Sequence, residues 1–165
     1  LRLSELTARK LWQGRSAQIF LEMIERRPLV TGIEQVFNFL NQNGIATAIV
    51  SSGPYQLAER AKQLFSITEI FANKLDIDGS GCFSGSVEVQ VIDNAKHEVG
   101  KALQAKYGAT PETTGMIGDS NSDATLAQLA KLAIAYDTQD IELVKVCSHR
   151  LYAGQLAQAV PLLEG

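Results

Sequence analysis

Twice along this chain a short apolar run stops at a turn of small polar residues and passes directly into a helix. The first case is Ile45-Ala46-Thr47-Ala48-Ile49-Val50, then Ser51-Ser52-Gly53, then Pro54 to Phe65 with Leu57, Ala58, Ala61, Leu64 and Phe65 at helical spacing. The second is Thr114 to Ile117, then Gly118-Asp119-Ser120-Asn121-Ser122-Asp123, then a helix bearing Leu126, Leu129 and Ala130. A nearly unbroken apolar and β-branched run such as 45–50 reads as a strand covered on both faces. Strand and helix in alternation imply parallel strands joined by crossover helices, so the expected fold class is α/β with a Rossmann-like parallel sheet.

Other segments extend the pattern. Ser16 to Arg27 places Ile19, Phe20, Met23 and Ile24 on one helical face, and Pro28 ends that helix. A helix from Ile33 turns Val36, Phe37 and Leu40 inward and stops at Asn43-Gly44. Ala95 to Tyr107 forms another, with Val99, Ala102, Leu103 and Tyr107 on its buried side, closed by Gly108. A strand at Leu132 to Tyr136, a helix at Ile141 to Val146, a strand near Arg150 to Tyr152 and a last helix to about Leu163 complete the chain. One stretch breaks the alternation. In Lys74 to Val91 the turn Asp78-Gly79-Ser80-Gly81 precedes Val87-Glu88-Val89-Gln90-Val91 at strict period two, which is the pattern of a β-hairpin.

Composition narrows the functional classes. With 165 residues, 45% of them hydrophobic, the chain can bury one sizeable core. A net charge of −3 offers no broad basic surface to nucleic acid or anionic lipid, so an anionic small molecule would need locally placed positive charge. Cys82 and Cys147 lie outside any CxxC or Cys/His metal spacing, and no apolar run approaches a membrane span. A cytoplasmic location is expected.

In open parallel sheets ligands bind beyond the carboxyl ends of the strands, and three places qualify. Ser51-Ser52-Gly53 puts a hydroxyl and free backbone N–H groups before a helix N-terminus, where an anion is favoured; a plain N-cap is the alternative. Lys96 lies in the first turn of its helix, with Asp93 as the expected cap. A cation there opposes the helix dipole, so it is either a solvated surface lysine or a group that neutralises a transferring phosphoryl. In Gly118 to Asp123 the carboxylates of Asp119 and Asp123 are hard oxygen ligands of the kind Mg2+ takes, with Asp123 a second ligand or an orienting partner. Asn121 and Ser122 could hydrogen-bond neighbouring groups or substrate; turn and cap preferences alone would also gather such residues. His97 and His149 have no partner at metal-ligand spacing, and Trp12 with Phe20 reads as packing.

In this order the three sites resemble the later motifs of the haloacid dehalogenase superfamily, most closely its phosphoserine phosphatase-like branch, from about Pro28 to the C-terminus. Ile49-Val50-Ser51-Ser52-Gly53 resembles the second motif, Lys96 the third and Gly118 to Asp123 the fourth. Phe71-Ala72-Asn73-Lys74-Leu75 with the Asp78-Gly79 turn and Phe83-Ser84-Gly85 resembles that branch's hairpin. The resemblance implies a Mg2+-dependent phosphatase of a small phosphorylated metabolite, working through a phosphoaspartyl intermediate. Ser51 and Lys96 would stabilise equatorial charge, the Ser52 and Gly53 amides would add phosphate contacts, and Asp119 would anchor the metal. Ser52 and Pro54 stand where that branch has glycine and an aromatic residue, and Ser122 where it has asparagine.

The family's first motif, Asp-x-Asp-x-Thr at the end of an apolar strand, supplies the nucleophile and general acid, and nothing before Ile45 matches it. Residues 1–30 resemble the remnant of a helical cap, and 31–165 the α/β core with its hairpin at about 74–91. Asp76-Ile77-Asp78-Gly79-Ser80 spells part of the motif, yet Asp-Gly followed by Gly81 is turn chemistry. In the family the first strand lies at the sheet centre, and with neighbouring strands ~4.8 Å apart its omission opens a gap of ~10 Å. The expectation is that a segment outside residues 1–165, upstream or from a second chain, completes the sheet. Two other functions compete: a non-catalytic module or pseudo-enzyme that binds phosphate and Mg2+, and a receiver-like domain, for which the N-terminal acidic cluster is missing.

Overall fold

The computed structural model describes residues 3–92 and 95–164. In chain order they form α1 (Leu3–Thr7), a π-helical turn (Ala8–Trp12), α2 (Gln18–Arg26), α3 (Ile33–Gln42), β1 (Ala48–Pro54), α4 (Tyr55–Phe65), β2 (Glu69–Ile77) and β3 (Phe83–Glu88). There follow α5 (Lys96–Tyr107), β4 (Gly115–Gly118), α6 (Ala124–Ala127), β5 (Leu132–Tyr136), α7 (Ile141–Val146), β6 (His149–Leu151) and α8 (Ala159–Glu164). They group into two compact units, Leu1–Pro28 with Ala48–Val91 and Leu29–Thr47 with Ile92–Gly165. No helix among the described residues is long and apolar enough to cross a membrane.

In the first unit the sheet order is β1-β2-β3. β1 and β2 run parallel, joined by α4, which buries Ala58 and Phe65. Ala48 stands opposite Glu69, Ile49 opposite Ile70 and Val50 opposite Phe71; the next pair is Pro54 with Asn73. Ser51, Ser52 and Gly53 therefore face a single residue of β2, Ala72, and must bow out of the ladder. A bulge of this kind breaks pairing and re-aims side chains. β3 returns antiparallel to β2. At the turn, Asp78 accepts the Ser80 hydroxyl at 2.6 Å, the Ser80 amide at 2.9 Å and the Cys82 amide at 3.2 Å. These donors, the Ser80 hydroxyl first, hold the exposed Asp78 carboxyl below its ordinary value. The Asp76 to Ser80 letters thus belong to the end of β2 and the hairpin turn that follows it. Trp12, Phe20 and Phe83 pack edge to face with centroids 4.9 to 5.6 Å apart.

The second unit holds an all-parallel sheet in the order β4-β5-β6. β5 is its centre, with Ala133, Ile134 and Ala135 at 2% exposure or less. Val36 of α3, Leu151, Leu156 and Ala159 pack around Ile134. Gly32 caps α3 at φ +91°, and a Cβ there would stand 2.7 Å from the Ala157 backbone nitrogen, so the α3 entry needs glycine twice over.

Several expectations fail for physical reasons. The parallel sheet is two three-stranded sheets, one of them mixed. β1 begins at Ala48, because the amide of Ile45 is still bonded to the Leu40 carbonyl at the end of α3. No residue of β1 is fully buried, so this strand is not covered on both faces. In α2 only Ile24 is buried, while Ile19 and Met23 lie 72% and 66% exposed. Leu64 and Tyr107 are likewise exposed, and Ala102 faces solvent. The period-two run beyond Glu88 leaves the ladder, for a side-chain reason described below.

Candidate functional site

The bulge in β1 fixes the Ser51-Ser52-Gly53 turn. Gly53 donates its amide to Ser51 Oγ at 3.0 Å, and a Cβ at position 53 would meet that same oxygen at 3.1 Å. A hydroxyl that accepts one bond still has its proton to donate. Ser51 is half-buried and Ser52 exposed, just ahead of the first turn of α4. Position 54 is proline at the N-cap, so the side-chain cap that serine could have provided is not what these residues do.

Lys96, Asp119, Ser120, Ser122 and Asp123 come together in the second unit. Lys96 opens α5 and is 5% exposed, the one buried residue of that helix. Its Nζ donates to Asp123 Oδ1 at 2.7 Å and to Ser122 Oγ at 2.8 Å. An ammonium has three donors, so one remains for a ligand. The cap expected from Asp93 lies outside the described residues; the N-cap position is Ala95, with no side-chain cap.

Asp123 is saturated from the other side. Its Oδ2 accepts the Asp119 amide, the Ser120 amide and the Ser120 hydroxyl, each at 3.1 Å. Both oxygens are engaged, which suits the orienting role better than the liganding one. Gly118 makes this possible: a Cβ there would lie 2.6 Å from Asp123 Cβ. Burial, reinforced by the negative charge of Asp123, pushes the Cys147 thiol above its ordinary value of 9.0. Asp119 itself is exposed, at the end of β4. Its single free carboxylate fits Mg2+, which is held by one or two carboxylates together with phosphate oxygens and water. No group of three His, Cys, Asp or Glu that could cage a metal occurs among the described residues.

Asn121 is exposed on the turn. Ser122 lies inside the network, since its Oγ also meets Ser120 Oγ at 2.9 Å. Sequence reasoning missed Ser120, although serine three residues before an acid is the spacing of a capping box. It also missed Asn73, whose partners lie about twenty residues away and leave no local signature. His97 Nδ1 bonds the Thr125 carbonyl at 3.0 Å, a structural role.

These features define an α/β protein with polar groups gathered at the carboxyl ends of parallel strands. The chain belongs to the haloacid dehalogenase-like hydrolase family, which it matches over residues 4–128. Among curated relatives it is 25% identical over 133 residues to a phosphoserine phosphatase of Archaeoglobus fulgidus, covering 80% of this chain and 38% of that one. It is 29% identical over 127 residues to the phosphoserine phosphatase of Methanocaldococcus jannaschii, covering 75% and 60%. The chain thus spans between about a third and two thirds of the length of these relatives. Its fold matches the crystal structure of a probable phosphoserine phosphatase from Vibrio cholerae with a TM-score of 0.85 at 24% identity, over 97% of this chain and 49% of that one.

Proposed function

We propose that this chain is part of a Mg2+-dependent phosphomonoester hydrolase, phosphoserine phosphatase-like, acting on a small phosphorylated metabolite. An aspartate from outside residues 1–165 attacks phosphorus while a second carboxyl group of the same segment gives its proton to the departing alkoxide, which leaves as the alcohol. Water, giving a proton to that carboxylate, then attacks phosphorus of the phosphoaspartate, and the aspartyl oxygen–phosphorus bond breaks to free phosphate and the aspartate. Residues 1–30 are the remnant of its helical cap.

One observation carries the reading. Lys96 is a buried cation at the positive end of a helix, held by Ser122 and Asp123 with a third N–H unspent. Structure alone gains little from such a placement, whereas charge developing on phosphoryl oxygens would be stabilised by it. The Ser51 hydroxyl and the Ser52 amide would donate to phosphoryl oxygens, while the Gly53 amide is spent on holding Ser51 Oγ. Asp119 would hold the Mg2+, which neutralises phosphoryl charge when bound. Asp123 keeps the Asp119 backbone and the Lys96 ammonium in place.

The test is turnover of p-nitrophenyl phosphate by the full-length protein with MgCl2. The Asp119→Asn variant is expected to lose on the order of a hundredfold or more in kcat. Tight phosphate binding with no turnover in the full-length protein would instead establish the non-catalytic module.

A further inference from the structure

Asn73 is 7% exposed in β2 and spends its whole hydrogen-bonding capacity on backbone. Its Nδ2 donates to the Ser52 carbonyl at 2.9 Å and to the Val91 carbonyl at 2.8 Å. Its Oδ1 accepts the Gln90 and Val91 amides, both at 2.9 Å. Only this orientation of the amide satisfies all four groups.

The placement follows from the register. Where Ser51, Ser52 and Gly53 bow out of the ladder, the Ser52 carbonyl loses its strand partner, and a carbonyl left without a donor carries a desolvation penalty. Asn73 lies just past the slip and supplies the missing donor from its side chain. On the far side of β2 the ladder with β3 stops at Lys74 opposite Glu88, and the same amide picks up Gln90 and Val91. Gln90 adds its own side chain, accepting the Ala72 amide at 3.4 Å. One side chain thus replaces strand pairing on both flanks of β2. This is why the alternating valines beyond Glu88 are not a strand.

We infer that Asn73 is the positioning residue of the phosphate-binding turn: its bond to Ser52 fixes the bulge in which the Gly53 amide holds Ser51 Oγ, and so aims the Ser51 hydroxyl. The inference rests on the reading of Ser51 and Ser52 as phosphoryl contacts. No contact of Asn73 with substrate is required.

A double-mutant cycle on the full-length protein tests it, with p-nitrophenyl phosphate as substrate. Asn73→Ala is expected to lower kcat by between about tenfold and a hundredfold, the range for a misplaced catalytic group. The Asn73→Ala/Ser51→Ala variant should be no slower than Ser51→Ala alone, because both remove the same function. Multiplying losses, or an unchanged kcat with a lowered melting temperature, would overturn the inference. If Asn73→Ala does not fold, Asn73→Asp keeps the acceptor for the Gln90 and Val91 amides and removes the donors to the Ser52 and Val91 carbonyls. In that variant the Gly53 amide resonance should shift while the Gln90 and Val91 amides stay protected from exchange. A Gly53 resonance that stays in place overturns the proposal. This arm needs no turnover, so an inactive parent protein would sink the phosphatase reading and leave the Asn73 question decided separately.

Discussion

Two terms oppose the charge on Lys96, its desolvation and the positive end of α5, and Asp123 at 2.7 Å offsets both. Removing one partner of such a pair exposes the cost of the other. Lys96→Met should therefore destabilise the protein by about 3 kcal/mol, since Asp123 stays buried with Oδ1 unpaired. Adding Asp123→Asn removes that stranded charge and retains an acceptor for the Asp119 and Ser120 amides. Urea unfolding should show part of the stability restored in the double variant, while phosphatase assays show none of the activity. Full loss of stability in both would mean that packing, not charge, dominates. Lys96 was legible in the sequence because it violates a local rule, a cation in the first turn of a helix. Asp119 and Asp123 were legible as a pair, with Asp119 expected toward the metal, but whether Asp123 is a second ligand or an orienting partner was not. That distinction depends on three donors from the turn converging on one oxygen. Asn73 was invisible, because nothing in five neighbouring residues says that a strand will slip register beside it.

Helix α5 shows what separates readable elements from unreadable ones. Its limits were close to those expected, because Gly108 at φ +62° terminates it. Its buried face was read only in part: Val99 and Leu103 are half-buried, but Tyr107 and Ala102 face solvent, and the buried position is a lysine. β5 and α7 were read correctly, each having one strong apolar signal and one environment. β1 began three residues late because α3 keeps hold of Ile45. Gly100, mid-helix in α5, is explained by packing. A Cβ there would stand 2.7 Å from Leu126 Cδ2 and 2.8 Å from Leu129 Cδ1. Alanine would gain about 1 kcal/mol in helix propensity, but overpacking costs about 1 to 3 kcal/mol. Gly100→Ala should therefore lower the urea midpoint, and should cost less in a Leu126→Ala background, where the nearest methyl is gone. Equal effects in both backgrounds would show that the glycine is there for the backbone instead.

At the scale of the molecule the open question is what lies beside β1 and β4. Among the described residues each pairs on one side only, β1 with β2 and β4 with β5. Parallel strands of this type are normally covered, and bare edges invite pairing. Ile49 and Val50 nevertheless remain half-buried and Ile117 is 43% exposed. On the reading proposed above, a strand from outside residues 1–165 brings the nucleophile and pairs with the open edge of β4 or of β1. A longer form carrying that strand should then melt above the 165-residue chain. The outward amides of the strand it joins should exchange at least about tenfold more slowly in it, equivalent to ~1.4 kcal/mol of added protection. Hydrogen exchange resolved by residue decides the matter. If β4 gains protection and β1 does not, the added segment pairs in the second unit alone; if neither changes, the nucleophile does not arrive on a strand that completes either sheet.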